Sequence, residues 1–152
     1  MSTITLKKGD ILQRAGDLNS KIYRVNSGLL RSYSLDKKGK EHIFLFALEG
    51  TIMVDHIPPN VPADLFIDAL EDSEVSILDK NFFNSHQNMS EMIHRIDGLQ
   101  KRVIMLMGGS ILDRYQHFVA TYPQIVSRIP QRMIASYLGV TPEALSKAKR
   151  KR

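Results

Sequence analysis

The last 25 residues of the chain, RIPQRMIASYLGVTPEALSKAKRKR, constrain its fold more than any other stretch, because two short helical patterns flank a tight break there. In the first pattern the apolar residues lie on one helical face, at positions 133, 134, 137 and 138. Gly139 follows the last of them, and glycine ends a helix readily because it accepts the left-handed backbone conformation. We therefore predict a helix that starts after Pro130 and ends at Gly139.

A second helix is predicted directly after this break. Thr141 offers a side-chain oxygen as N-cap, Pro142 suits the first helical position, and Glu143 places a carboxylate in the first turn. Helix, glycine-containing turn and helix form the helix-turn-helix arrangement, whose second helix enters the DNA major groove N-terminus first. An ordinary helical hairpin packed on a core is the alternative that this pattern alone leaves open.

The distribution of charge favours the DNA-binding interpretation. From Arg128 onward the chain has seven Lys/Arg and one acidic residue, Glu143, a net charge of +6. The preceding residues have fourteen Lys/Arg and fifteen Asp/Glu, a net charge of −1, so the formal charge of +5 comes entirely from this end. A basic cluster confined to a helix-turn-helix suits phosphate binding, since neutralised phosphates release counterions.

Overall properties narrow the class of protein. The 152 residues are enough for one well-packed core plus a small appendage. Cysteine is absent, which excludes disulfides, thiolate metal ligands and cysteine nucleophiles. No run of 18 apolar residues and no signal-peptide pattern is present, so we expect a soluble, cytoplasmic protein with no membrane partner.

Residues 1–79 have the pattern of short strands separated by turns. Seven strand-like segments occur at regular spacing: ITL, ILQR, KIYRV, LLRSYSL, EHIFLFAL, LFIDAL and EVSIL. The proline-rich segment IPPNVPAD, between EHIFLFAL and LFIDAL, is expected to be an irregular loop. This spacing predicts an antiparallel β barrel or jelly roll, and together with the helices that follow it makes the chain an α+β protein.

The segment 80–107 is predicted to be one long helix. Its apolar residues recur at alternating spacings of three and four, as in the a/d seam of a helix that pairs with another: Met89, Met92, Ile96, Leu99, Val103 and Leu106. Packing on the chain's own β domain and pairing in a homodimer both remain open; the dimer is favoured because a helix-turn-helix usually needs two half-sites. Gly108-Gly109 is interpreted as a hinge to a DNA-binding region, 108–152, in which Ser110 can cap a further helix.

A metal-dependent enzyme of the cupin type is an alternative for the β domain. No two of the five histidines have the H-x-H or H-x-x-x-H spacing of a shared metal site: His42, His56, His86, His94 and His117. His42 could face the barrel interior, although a lone histidine is more often structural. No nucleophile elbow, phosphate loop or dinucleotide fingerprint occurs, so we expect neither an enzyme nor a metal site.

These parts in this order resemble the cyclic-AMP receptor protein/Fnr family of transcription regulators. The stretches that carry the resemblance are LKKGDILQRAGD, KIYRVNSGLLRSY, EVSIL with the following 79–83, and LDRYQHFVATYPQIVSRIPQRMIASYLGVTPEALSKAKRK. The last is most similar to the branch found in Bacteroidetes-like bacteria, and IASYLGVTPEALSK is its most specific part. The resemblance implies a cyclic-nucleotide-binding-type β barrel, a dimerising helix and a C-terminal helix-turn-helix.

By position, the resemblance also implies roles for the DNA-binding residues. Thr141 would cap the second helix and meet a phosphate. Base contacts are implied for Glu143, Ser146 and Lys147, with Glu143 accepting from a cytosine amino group and Lys147 donating to guanine. Phosphate contacts are implied for Lys149, Arg150, Lys151 and Arg152, and for Arg132 from the first helix.

The chain departs from the cyclic-AMP-binding members at the phosphate cassette, where they carry a Gly-Glu pair and a later Arg followed by Ser or Thr. Asp55 falls near the position of the Glu, and Ala63 and Asp64 occupy the Arg-Ser positions. No Lys or Arg occurs between Glu41 and Asp79, and a buried phosphate without a cation is costly to desolvate. We therefore expect no cofactor, an effector other than cyclic AMP, and Asp55 and Asp64 as solvated loop acids. The implied effector pocket comprises Gly50, Thr51, Asp55, Ala63 and Asp64.

The ends of the chain depart from the family as well. Family members usually carry helices before the barrel and a β wing after the second DNA-binding helix, and we expect a helix-turn-helix lacking this wing here. The sequence thus predicts a homodimeric DNA-binding transcription regulator that reads a palindromic site. The alternative is a ligand-sensing or degenerate regulator that dimerises without binding DNA, and a steep loss of DNA binding with salt would favour the regulator.

Overall fold

The computed structural model describes residues 2–83 and 89–151. The chain divides into two compact units, Met1–Asn84 and Ser85–Arg152. The described part of the first unit forms eight strands, and that of the second forms four α-helices. The predicted order of a β half followed by a helical half is therefore confirmed, while the finer division at residues 79 and 107 stays a prediction.

The strands form two four-stranded antiparallel sheets, ordered β1-β8-β3-β6 and β2-β7-β4-β5, which is a jelly roll as the strand spacing predicts. Their bounds are β1 Ser2–Leu6, β2 Ile11–Gln13, β3 Ile22–Ser27, β4 Leu29–Leu35, β5 Glu41–Leu48, β6 Ile52–Val54, β7 Phe66–Ala69 and β8 Ser73–Leu78. The strand β6 is not apparent in the sequence, because three residues next to a proline-rich loop give too short an alternation to recognise.

Apolar side chains from both sheets form one core. Successive side chains of a strand point to opposite faces, so every second residue of the central strands contributes. The buried members are Leu6, Tyr23, Val25, Leu30, Ala47, Met53, Ile67, Ala69 and Val75. This core holds β6 and β7 in place, and these two strands flank the proline-rich loop.

The helical unit follows a 3₁₀ turn over Lys80–Phe83. Its helices are α1 Met89–Gly108, α2 Ile111–Thr121, α3 Gln131–Leu138 and α4 Pro142–Arg150. The expectation of an α-helix from residue 80 is wrong at its start, since Lys80–Phe83 form a 3₁₀ turn; the predicted helical residues 84–88 lie outside the described residues. Among the described helices, none combines the length and the apolar character that crossing a membrane requires.

The predicted helix caps are confirmed. Ser110 and Asp113 form a reciprocal capping box at the start of α2. Gly139 ends α3 in the left-handed conformation, with a φ of 70°. The Thr141 Oγ1 accepts a hydrogen bond of 3.1 Å from the Ala144 amide at the start of α4. Local sequence therefore places the turn between α3 and α4.

Aromatic and aliphatic side chains from α2, α3 and α4 form the core of the helical unit. The rings of Phe118, Tyr122 and Tyr137 pack with centroids 5.3–5.7 Å apart. Leu138 and Leu145 are fully buried beside them, and burial of each such side chain contributes about 1.5–3 kcal/mol. Because Leu145 is buried, the opposite side of α4 faces solvent.

Candidate DNA interface and effector loop

The solvent-exposed side of α4 presents a short row of charged side chains. Glu143, Lys147 and Arg150 are all exposed, and their spacing of four and three residues places them on one helical face. Thr141 and Pro142 are exposed at the N-terminal end of the same helix. The structure thus brings together three of the residues for which DNA contacts are predicted. We call Glu143, Lys147 and Arg150 the charged row.

Ser146 and Lys149 lie beside the charged row and are half-buried. The Nε2 of Gln131 donates to the Ser146 Oγ over 2.8 Å, and the Lys149 Nζ donates to the Gln131 Oε1 over 3.1 Å. The Lys149 Nζ also lies 4.5 Å from the ring centroid of Tyr115 on α2. In this structure both side chains therefore contact other helices of their own unit, and their DNA contacts stay predictions.

Gln131 and Tyr115 also belong to this site, although no sequence pattern indicates it. Gln131 is 15 residues from Ser146, and Tyr115 belongs to a different helix. No local pattern joins such positions, so only the packing of α2, α3 and α4 shows their contact. Arg132 and Lys151, two further predicted phosphate contacts, are exposed, whereas Arg152 lies outside the described residues.

Two arginines donate hydrogen bonds to carbonyl oxygens at the C-terminal end of α3. Arg114 donates from Nη1 to the Leu138 carbonyl oxygen at 3.1 Å, from Nη2 to that of Leu106 at 3.0 Å, and from Nε to that of Gly109 at 3.2 Å. A cation at helix C-termini is electrostatically favourable.

Arg102 on α1 makes the second connection. It donates from Nη2 to the Tyr137 carbonyl oxygen at 3.2 Å, and its guanidinium carbon lies 3.9 Å from the Tyr137 ring centroid. Burial lowers the pKa of Arg102 from its usual value. Together with Arg114, this residue bridges the Gly108-Gly109 step, which argues against free bending at the predicted hinge.

The apolar residues of α1 divide between a free and a covered side. Seven large apolar side chains are exposed: Met89, Met92, Ile93, Ile96, Val103, Ile104 and Met107. Two members of the predicted seam, Leu99 and Leu106, are half-buried. The Leu106 Cδ2 lies 3.9 Å from the Cβ position of Gly139, so it takes part in packing near the turn of the helix-turn-helix. The free apolar face therefore contains four of the six predicted seam residues, together with Ile93, Ile104 and Met107.

The expectation that Asp55 is a solvated loop acid is wrong, because it is only 2% exposed. Its Oδ2 accepts hydrogen bonds from the backbone amides of Asp64 at 2.8 Å and Leu65 at 2.9 Å. A carboxylate that accepts two amide hydrogens closes the loop on itself. Asp64 is exposed, as expected, and Ala63 is buried.

Lys80 lies just beyond the segment in which no cation was found, and it holds the same loop. Its Nζ donates to the Ser20 Oγ at 2.6 Å, to the Asp55 carbonyl oxygen at 2.6 Å and to the Ile57 carbonyl oxygen. Burial lowers the pKa of Lys80, and the nearby Asp55 partly offsets this effect. The Lys80 ammonium is thus bound to oxygen atoms of the chain itself.

The remaining predicted pocket residues lie at a different place in the β unit. Gly50 and Thr51 form the turn between β5 and β6, where the Gly50 amide donates to the Val25 carbonyl oxygen at 2.9 Å. His42 is exposed, and its Nε2 lies 2.9 Å from the Asp36 Oδ2, so it does not face the barrel interior. His86 lies outside the described residues, and the described ones contain no group of three or more potential metal ligands.

Comparison with known proteins places this architecture in a family. Residues 3–87, more than half of the chain, match the cyclic nucleotide-binding domain. The chain is 27% identical over 106 residues to the fumarate and nitrate reduction regulatory protein of Yersinia pestis, covering 70% of this chain and 40% of that protein. It is 24% identical to the anaerobic regulatory protein of Aggregatibacter actinomycetemcomitans, covering 93% and 63%. The chain therefore spans about two fifths to two thirds of the length of these relatives.

Solved structures show the same fold. FixK2 from Bradyrhizobium japonicum superimposes with a TM-score of 0.79 at 20% identity, covering 99% of this chain and 83% of that one. A CRP/FNR-family transcriptional regulator from Eubacterium rectale gives a TM-score of 0.74 at 21% identity, covering 99% and 77%. The chain belongs to the cyclic nucleotide-binding domain family.

Proposed function

We propose that this chain is a homodimeric DNA-binding transcription regulator, without enzymatic activity, whose α4 helices read the two halves of a palindromic site. The observation that carries the proposal is the exposed charged row on the second helix of a capped helix-turn-helix. Lys147 and Arg150 can neutralise phosphates or donate to guanine, and Glu143 can accept from cytosine. The names of the relatives, which describe regulatory proteins, support this function.

The free apolar face of α1 supports the homodimer. Ile96 is 61% exposed and Met107 is 80% exposed, values that are unfavourable in water for such large side chains. Two parallel copies of α1 would cover both faces and, by twofold symmetry, present two α4 helices to one DNA duplex. Such a dimer reads half-sites about one helical turn, or roughly 34 Å, apart.

We further propose that the effector of the β unit is not cyclic AMP. The backbone amides of Asp64 and Leu65 already donate to the Asp55 carboxylate, so a phosphate would have to displace a buried internal anion. Lys80 would also have to leave three oxygen acceptors to reach that phosphate. Both changes remove satisfied hydrogen bonds, which is unfavourable.

Fluorescence anisotropy with a random duplex library, at two salt concentrations and with or without cyclic AMP, tests both proposals. We expect selective enrichment of palindromes, steep weakening with salt and no effect of the nucleotide. Binding that requires cyclic AMP would contradict the proposal on the effector. Failure to bind any duplex at low salt would contradict the regulator and favour the alternative, a sensor that dimerises without DNA.

Two double variants that remove the same number of charges test whether DNA binding occurs at α4. Lys147→Met with Arg150→Met removes two positive charges from the charged row, and Lys37→Met with Lys38→Met removes two from an exposed turn of the β unit. Only the first pair is expected to weaken binding, and to lower the salt slope by about two units. Equal weakening by both pairs would indicate a general charge effect in place of a DNA site on α4.

A further inference from the structure

The contact between Gln131, Ser146 and Lys149 has only one consistent arrangement of donors and acceptors. The Lys149 ammonium has hydrogens to donate and no lone pair, so the Gln131 side chain must turn its Oε1 towards it. The Nε2 of Gln131 then points at Ser146, 2.8 Å away. Because Nε2 can only donate, the Ser146 oxygen must accept.

Ser146 is consequently left with its hydrogen. A hydroxyl group has one hydrogen and two lone pairs, and one lone pair is used by Gln131. Within the described chain, Gln131 is the one hydrogen-bond partner of the Ser146 side chain. Its hydrogen is therefore available to a group outside the protein, on the side of α4 that borders Lys147.

We propose that Lys149 and Gln131 set the polarity of the Ser146 hydroxyl, so that Ser146 reads an acceptor on a base edge and rejects a donor. This inference rests on the proposed DNA-binding function. The matching base atoms in the major groove are N7 and O6 of guanine, N7 of adenine and O4 of thymine. Cytosine, which presents an amino hydrogen at this edge, is disfavoured.

Lys149 therefore acts as a positioning residue. It does not make the phosphate contact that the resemblance implies. Its Nζ is held between the Gln131 Oε1 and the face of Tyr115 at 4.5 Å, a cation–π contact that favours this location. Reaching a phosphate would break both contacts. Lys147, two residues earlier and exposed, has the same charge without these contacts and serves as the matched control.

The first experiment determines base preferences by selection from random duplexes. Ser146→Ala identifies the base position that Ser146 reads, since the preference there should fall by about fivefold, as expected for one hydrogen bond. Lys149→Met and Gln131→Met should each reduce the preference at this same position and leave the other positions unchanged. Thermal unfolding of each variant checks that the helical unit is folded.

The variant Gln131→Glu should reverse the role of the Ser146 hydroxyl towards the base, from donor to acceptor. A carboxylate accepts from both Lys149 and the Ser146 hydroxyl, so Ser146 would then offer lone pairs to the base. The preference at this position should move towards cytosine N4 or adenine N6, which are donors. Gln124→Glu, an exposed position in the same unit, controls for the added negative charge and should not move the preference.

Salt dependence separates positioning from phosphate contact. Lys147→Met should reduce the slope of log K against log salt by about one unit, whereas Lys149→Met should leave the slope unchanged. Equal reductions in both variants, or an unchanged preference at the Ser146 position in Lys149→Met and Gln131→Met, would overturn the inference while the regulator stands. If the wild-type protein binds no duplex, the proposed function fails and this inference falls with it.

Discussion

The Nη1 of Arg114 on α2 donates to the carbonyl oxygen of Leu138, the last residue of α3, at 3.1 Å. The same guanidinium holds the carbonyl oxygens of Leu106 and Gly109, so one side chain satisfies acceptors near the C-terminal ends of two helices. The turn that positions α4 therefore depends on a residue outside the helix-turn-helix.

Substitution of Arg114 should loosen the helical unit. Arg114→Met removes three hydrogen bonds from a charged donor, and we expect the free energy of unfolding to fall by about 2–4 kcal/mol. Urea unfolding followed by circular dichroism at 222 nm measures this change. The control Lys101→Met, whose side chain is 61% exposed, should alter it by less than about 0.5 kcal/mol. Similar losses in both variants would show that the three bonds contribute little.

Gly108→Ala tests the hinge without a steric complication. A Cβ at Gly108 meets no atom within 4 Å, whereas one at Gly109 lies 2.8 Å from the Met105 carbonyl oxygen. We expect Gly108→Ala to stabilise α1 by up to about 1 kcal/mol and to leave DNA affinity within twofold, because Arg102 and Arg114 already bridge this step. A larger change in DNA affinity, with the dimer intact in analytical ultracentrifugation, would support the interpretation of Gly108-Gly109 as a hinge.

Ile96→Lys should weaken self-association. Ile96 is exposed on the free apolar face of α1, and a charge there would be buried against the second copy. His94→Lys is the control, because His94 is exposed about 160° around the helix from Ile96. Sedimentation equilibrium should show a dimer for His94→Lys and a dissociation constant raised at least tenfold for Ile96→Lys. Equal dimerisation of both variants would show that this face of α1 is not the dimer interface.

Asp55→Ala should open the loop between β6 and β7. It removes the acceptor of the Asp64 and Leu65 amides, and we expect the free energy of unfolding of the β unit to fall by roughly 2–4 kcal/mol. Hydrogen exchange at these two amides should become faster. Asp64→Ala removes an exposed carboxylate from the same loop and should change neither quantity appreciably. Unchanged exchange in Asp55→Ala would contradict the closed loop.

The turn between β4 and β5 should respond to acid. A hydrogen bond from His42, followed by the Lys40 amide, lowers the pKa of Asp36 from its usual value. A lowered carboxyl pKa stabilises the fold above the unfolded-state pKa, and this stabilisation is lost as pH falls through the lower, folded value. An NMR titration should therefore place the Asp36 midpoint below the usual aspartate value in the wild type and at a higher pH in His42→Ala. An identical midpoint would show that His42 is not its partner.

Most of the fold follows from short-range patterns. Period-two alternation marks β3 and β5, and the residues that cap α2 and α4 lie within three positions of the groups they bind. Such signals act within one turn or one strand, so they can be recognised without knowing the partner. The start of α1 and the short strand β6 were missed because neither has a local pattern of sufficient length.

The two candidate sites could be predicted from the sequence less completely than the fold, because they depend more on tertiary structure. The charged row follows from helical spacing once α4 is recognised, since Glu143, Lys147 and Arg150 are three and four residues apart. The burial of Asp55 depends on how a proline-rich loop closes, and no periodicity describes that loop.

By itself, the sequence determined the succession of β domain, long helix and helix-turn-helix, the caps of α2, α3 and α4, and the concentration of positive charge at one end. Only the tertiary structure decided that Gln131 meets Ser146 and Lys149, and that Arg31 pairs with Asp68 across two strands. These contacts join residues 15 to 37 positions apart. Caps and periodicity arise from neighbouring residues, whereas contacts over such separations exist only once packing brings separate elements within hydrogen-bonding distance.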